Sequence, residues 1–208
     1  MSNQTALNLN NILNDLNETE AITGTLWRPK NRTEPYHVYI DDVTLEAQDY
    51  NYKDPVTGES GKTCPGFYLQ LRYVLVDPIS EEEDPDAPPA PADGGGQSFP
   101  GGQIRFPARG HADIPGDPKA ARGAHAGVRI NLGRLKSTIN ALMGRAANDP
   151  MTDIEGDIAA IKKRCASENG LTARVNCRTK VRSYTDSETG EERSISEFTD
   201  YIVSVDSN

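Results

Sequence analysis

A run of 14 residues, LTARVNCRTKVRSY from Leu171 to Tyr184, constrains the fold more than any other stretch. Leu171, Ala173, Val175, Cys177 and Val181 fall on one parity, interrupted only by Thr179. Thr172, Arg174, Asn176, Arg178, Lys180 and Arg182 fall on the other. Successive side chains of a strand point to opposite faces, so this period of two predicts a strand with one apolar face and one face bearing four cations. TDSETGEERS then supplies turn chemistry, and ISEFTDYIVSV returns as a partner strand, so the pair reads as a long hairpin. Like charges side by side on a sheet face repel, and a polyanion bound there would offset that cost.

The elements upstream set the hairpin in a fold. Tyr36, Val38 and Ile40 alternate with His37 and Tyr39, and the extended reading runs on to Leu45; Ala21 to Trp27 also reads as extended. FYLQLRYVLV, Phe67 to Val76, is the most apolar run and predicts a central strand, since neither of its faces is strongly charged. Gly102 to Pro107 is a short strand candidate. Val128, Leu132, Leu135, Ile139 and Leu142 form a helical stripe that Gly144 ends. A second helix spans Ile154 to Ala166, with acids near Asp153 at its start and Lys162, Lys163 and Arg164 at its end, as the macrodipole favours. Leu9, Ile12, Leu13 and Leu16 predict a short helix or an ordered arm over residues 1–20.

Strand, strand, short strand, helix, strand, strand is the order of an OB-like barrel. The expectation is therefore a mainly β chain with α: a five-stranded OB-like barrel with one or two helices between the third and fourth strands and long loop insertions, forming one domain over residues 21–205. One insertion, residues 78–101, is acidic and rich in proline and glycine; its segment Ser80 to Ser98 holds six acids, four prolines and a Gly triplet without periodicity. Such a composition buries too little apolar surface to offset chain entropy and predicts disorder. An acidic segment could also imitate phosphate in an empty basic groove.

The net charge of -9 argues at first against a nucleic-acid partner, but the charge is uneven. Residues 1–96 hold 6 Lys/Arg against 17 Asp/Glu, whereas residues 97–145 hold 8 against 2. A basic face is compatible with that distribution. Catalysis finds little support: GxSxG, HExxH, a phosphate loop and CxxC are all absent. His37, His111 and His125 lack ligand spacing, and Asp41-Asp42 reads as a solvated strand end, so no metal, cofactor or catalytic residue is expected. Cys64, Cys165 and Cys177 read as free thiols of a reducing compartment. The N-terminal residues lack a basic n-region and a long apolar run, and no segment approaches a membrane span, so a cytoplasmic chain without membrane contact is expected.

The array GVRINLGRLKSTINALMG followed by ARVNCRTKVRSYTDSETGEERSISEF resembles phage-encoded single-stranded DNA-binding proteins of the OB-fold class. It places a helix with an LMG ending before a basic strand and a Tyr-Asp-Thr-Gly-Glu-type turn. The resemblance covers mainly residues 125–205, with support from 36–76, and the acidic insertion is not part of it. It implies a non-enzymatic, sequence-tolerant protein of phage DNA replication or recombination, acting in the host cytoplasm. The implied partners are single-stranded DNA, replication or recombination proteins, and further copies of the chain.

On this reading Arg174, Arg178, Lys180 and Arg182 hold phosphates, helped by Arg72, Arg28, Lys30, Arg105 and Arg109, with the Arg-rich 105–122 segment closing over the strand. Trp27, Tyr68 and Tyr184 offer stacking surfaces, as does Tyr39, and base stacking on an aromatic ring contributes about 1–3 kcal/mol without sequence readout. A rival reading takes the same hairpin as a protein interface in a phage or virus structural module.

Overall fold

The computed structural model describes residues 27–92, 94–119, 123–167, 170–185 and 190–206. The expected N-terminal helix or arm and all of the first extended segment except Trp27 lie outside these residues. Among the described residues there are eight strands: β1 (Tyr36–Ala47), β2 (Tyr50–Tyr52), β3 (Lys62–Cys64), β4 (Gly66–Leu75), β5 (Ser98–Pro100), β6 (Ile104–Pro107), β7 (Thr172–Thr185) and β8 (Glu192–Val205). Two α-helices, α1 (Ala124–Leu142) and α2 (Ile154–Cys165), separate β6 from β7.

The main sheet is antiparallel, in the order β5-β4-β1-β7-β8, with β6 also paired to β4; β2 and β3 form a separate ribbon. β4 is an inner strand, with β1 on one side and β5 and β6 on the other, which suits faces that carry only one charged residue, Arg72. Along β1, Tyr36, Val38 and Ile40 are buried; a bulge between Ile40 and Asp42 then shifts the parity, so that Val43 is buried too. Asp41-Asp42 is thus a mid-strand bulge that puts two exposed acids next to each other, not a strand end.

Both helices cover one face of the sheet. α1 buries Val128, Leu135, Ile139 and Leu142, with Leu132 packed against them, as the stripe predicts. Its end is a Schellman motif: the Gly144 amide donates to Ala141 O (3.0 Å), the Arg145 amide donates to Asn140 O (2.8 Å), and Gly144 takes φ 71°. In α2 the Asp153 carboxylate accepts from the Gly156 amide at 2.9 Å, and Ile158 and Ile161 are buried. Arg145 and Asp157 join the helices through two bonds of 2.7 and 2.6 Å, which hold the Asp157 carboxyl below its ordinary range.

The barrel expected from the element order is not closed by main-chain pairing. β8 pairs with β7 alone, and β5 and β6 pair with β4 alone. The sheet nevertheless curls until its ends touch. The Asp200 carboxylate on β8 accepts from the Gly102 amide at 2.7 Å and from the hydroxyl of Tyr73, a fully buried residue of β4. A Cβ on Gly102 would lie 2.8 Å from Phe198 O, so only glycine lets the two ends come this close. One side chain does here what a ladder of backbone bonds does in a closed barrel.

One expectation changes, on the hairpin. Ala173, Val175 and Cys177 are buried, but Val181 of the same parity is 62% exposed. β1 accompanies β7 only from Thr172 to Val175, so the far half of the hairpin extends beyond the core as a two-stranded arm. The acidic insertion holds two buried polar groups among its described residues, Asp84 and Gln97. Asp84 accepts from the Asp86 amide (3.1 Å) and from Trp27 Nε1 (3.2 Å). The Gln97 amide group donates to Ile79 O (2.9 Å) and Pro88 O (3.0 Å) and accepts from the Ile79 amide (3.0 Å).

Replacing Asp200 by alanine strands the buried Tyr73 hydroxyl and the Gly102 amide. The expected loss is about 1–3 kcal/mol for each stranded donor, read as a lower urea midpoint; an unchanged midpoint contradicts the clamp. A second prediction concerns the stacked pair of His111 and buried His125. His125 Nε2 must donate to Pro115 O (2.9 Å), so its Nδ1 accepts from His111 Nδ1 (3.2 Å). Burial, then His125 and Arg129, hold the His111 pKa below the ordinary imidazole value. The unfolded chain therefore takes up a proton near pH 6.5, before the folded chain does. Stability is full above that pH and declines as pH falls below it; the urea midpoint should follow this course, and His111→Gln should flatten it.

Candidate nucleic-acid interface

The face of the sheet away from the helices is open. β7 presents Arg174, Arg178, Lys180 and Arg182 there, all exposed, with the half-buried Asn176 among them. The loop before β1 runs alongside β7 where β1 no longer can. The Asn31 side chain donates to Thr179 O (3.1 Å) and accepts from the Thr179 amide (2.7 Å), so one amide side chain imitates a neighbouring strand. Tyr36 fixes the loop by donating its hydroxyl to Lys30 O at 2.7 Å.

Between this loop and β7 lies a cleft of about 540 Å³ lined by Asn31 to Thr33 and by Asn176 to Lys180. Among the described residues Arg32, Arg178 and Lys180 give it three cations, and no carboxylate lines it. The Arg32 guanidinium stacks 3.5 Å from the centre of the Tyr36 ring and donates to Glu34 O (3.0 Å) and Pro35 O (3.1 Å), so its position is set before any ligand arrives. Three close cations and two side-chain amides suit a phosphate-bearing chain.

The remaining sequence-derived residues divide into groups. Arg182 pairs with Glu197 at 3.1 Å, and Lys180 faces Glu197 across the ladder, so an acid from β8 interrupts the row of cations. Arg174 lies opposite His37, whose Nε2 is 3.0 Å from Asp206; Thr172, His37 and Arg174 hold the Asp206 carboxyl below its ordinary range. Arg72 faces Asp42. Tyr68 donates to Glu46 at 2.5 Å and lies opposite Arg105, which bonds Gln103. Tyr184 is 43% exposed on the arm.

Trp27, Arg28, Lys30 and Arg109 are placed differently. Trp27 packs edge-on against Phe99, Arg28 lies 4.6 Å over the ring of buried Phe198, and Lys30 pairs with Asp84 at 2.7 Å. These three belong to the packing beneath the hairpin and to the insertion, not to the open face. Arg109 pairs with Asp113 at 2.7 Å beside a single 3₁₀ turn (Gly110–Asp113), and Arg105 lies within β6, so this part of the Arg-rich segment is tied down rather than arched over the face.

Sequence reasoning missed Arg32, Asn31 and Asn176 as cleft residues. The loop RPKNRTEP announces its cations, but Asn31 and Thr179 are 148 positions apart, and only the fold makes them neighbours. Burial raises the thiol pKa of Cys165 to about 11 and of Cys177 to about 12, which leaves both as poor nucleophiles. Among the described residues no three of His, Cys, Asp or Glu gather into a metal-binding group, and no helix is long and apolar enough to cross a membrane.

Arg178→Gln and Lys180→Gln should each leave stability within about 0.5 kcal/mol of the parent, as surface changes do. Asp84→Ala should lower the thermal midpoint, by about 2–4 °C for each kcal/mol lost in a domain of this size. Differential scanning calorimetry separates the two; equal midpoints for all variants contradict the placement of Asp84.

Compared with protein-family models, curated proteins and solved structures, the chain matches none.

Proposed function

We propose that this chain is a non-enzymatic protein that binds single-stranded DNA with little sequence preference, on an OB-like half-open barrel of the kind phages use in replication or recombination. The observation that carries this reading is the acid-free cleft in which Arg32 joins Arg178 and Lys180. The sheet order supports it. With β5 and β6 counted as one interrupted third strand, the order is third, second, first, fourth, fifth, with both helices between third and fourth. That order is compatible with an OB-like barrel whose last pairing is absent and whose ends meet at Asp200. Phosphates lie along Arg32, Arg178 and Lys180, and bases stack on the exposed rings of Tyr184 and Tyr39. The overall negative charge does not oppose this, because the field that a ligand meets is set within about one Debye length.

A second reading has its own observation. The arm carries Val181, 62% exposed, and beyond Thr179 the described residues give its β7 edge no strand partner other than β8. A protein interface in a phage or virus assembly would use such an arm, and would show as a defined oligomer formed without nucleic acid.

Anisotropy of a labelled oligothymidylate titrated over a salt series tests the leading reading. Affinity should fall as salt rises, and replacing Arg32, Arg178 and Lys180 together by Gln should reduce the log–log slope by about 2, at ~0.7 per phosphate contact on a single strand. No binding at low salt, or a slope unchanged by the triple replacement, overturns it.

A further inference from the structure

A second cleft, about 250 Å³, lies between the outer edge of β8 and α1. Arg134, Ser137 and Thr138 line it from α1, and Tyr201 lines it from β8. Two features set it apart from an ordinary groove beside a helix. Among the described residues the buried Arg134 Nη2 atom has no hydrogen-bond acceptor. The guanidinium is therefore not saturated by the protein groups around it. The Tyr201 ring is 49% exposed, with the Arg134 guanidinium 5.6 Å from its centre, inside the range of a cation–π contact.

The second cleft is connected to the first. Tyr201 is the cross-strand partner of Asn176, and Asn176 lines the cleft of Arg32, Arg178 and Lys180. Directly opposed residues of an antiparallel pair share a face with Cβ atoms about 5 Å apart. A strand leaving the first cleft over Asn176 therefore meets the Tyr201 ring next and Arg134 after it. The two other charged groups at this cleft are already engaged. Arg145 is held bidentately by Asp157, and the Asp200 carboxylate serves Tyr73 and Gly102. That leaves Arg134 as the cation available to a ligand, with the Thr138 hydroxyl lining the same cleft.

We propose that the Tyr201–Arg134 cleft is a second nucleotide subsite continuous with the first, taking one base on the Tyr201 ring and one phosphodiester on Arg134. The proposal rests on the single-stranded DNA reading and extends the ligand path across β8 to the helix side of the molecule.

The test is an oligothymidylate length series at fixed salt with the full chain, comparing the parent with Tyr201→Ala, Arg134→Gln and Arg134→Lys, after calorimetry has shown each to be folded. For oligomers too short to leave the first cleft, all four proteins should bind alike. On lengthening, the parent should gain at least about fivefold in affinity from the added stack. Tyr201→Ala and Arg134→Gln should lose that gain, and Arg134→Lys should recover part of it. Arg134→Gln should also reduce the salt slope for long oligomers by about 0.7. An equal gain with length in parent and variants overturns the second subsite while leaving the first cleft intact. Parent protein that binds no oligomer of any length overturns the single-stranded DNA reading, and the subsite with it.

Discussion

A curled sheet whose ends do not pair must be held by something else, and here the Asp200 carboxylate does it. One oxygen takes the Gly102 amide at 2.7 Å, the other the hydroxyl of Tyr73. Tyr73 is fully buried, and that burial, then the charge of the Asp200 carboxylate and the bond to it, raises its pKa well above that of an ordinary phenol. The contact fixes the distance between β8 and the β5–β6 corner. It joins β8 to the corner that leads into β6, and α1 touches both β6 and β8. Both clefts depend on it, because each is bounded by residues of the β7–β8 hairpin.

The chain separates its charges in space rather than in composition. One acid of the insertion, Asp84, turns inward to serve Trp27 and Lys30, while the loop that supplies Lys30 sends its next arginine, Arg32, to the cleft. On the hairpin the separation is finer still. Glu197 neutralises Arg182 and faces Lys180, whereas Arg178 faces Thr199. The strongest positive field therefore sits near the base of the arm, where Arg32 adds to it, and weakens toward the tip.

What could be read from the sequence was what local periodicity encodes. The parity of LTARVNCRTKVRSY, the stripe from Val128 to Leu142 and the charge pattern from Asp153 to Arg164 all specify their own backbone within a few residues, and a strand and two helices are present there. The features that escaped depend on distant partners. Asp200 looks like any polar strand residue until Gly102 is brought to it, and Val181 looks buried until β1 is seen to end too soon. The composition of residues 80–98 likewise gives no sign that Asp84 would meet Trp27 or that Gln97 would meet Ile79 and Pro88. The cleft was half legible: its β7 cations stood out, and its loop wall did not.

The two-residue grip of Asn31 on Thr179 has a further consequence for how the hairpin stores its stability. Up to Thr179, β7 has a neighbour on each side, first β1 and then this amide; past it, the strand depends on β8 alone. The hairpin therefore has two thermodynamic halves. The base opens only when the core opens, whereas the tip, with few buried contacts, frays at a much lower free energy. A ligand that engages both halves draws most of its rigidity from a base that is already ordered, and only the tip needs to be ordered by the binding event.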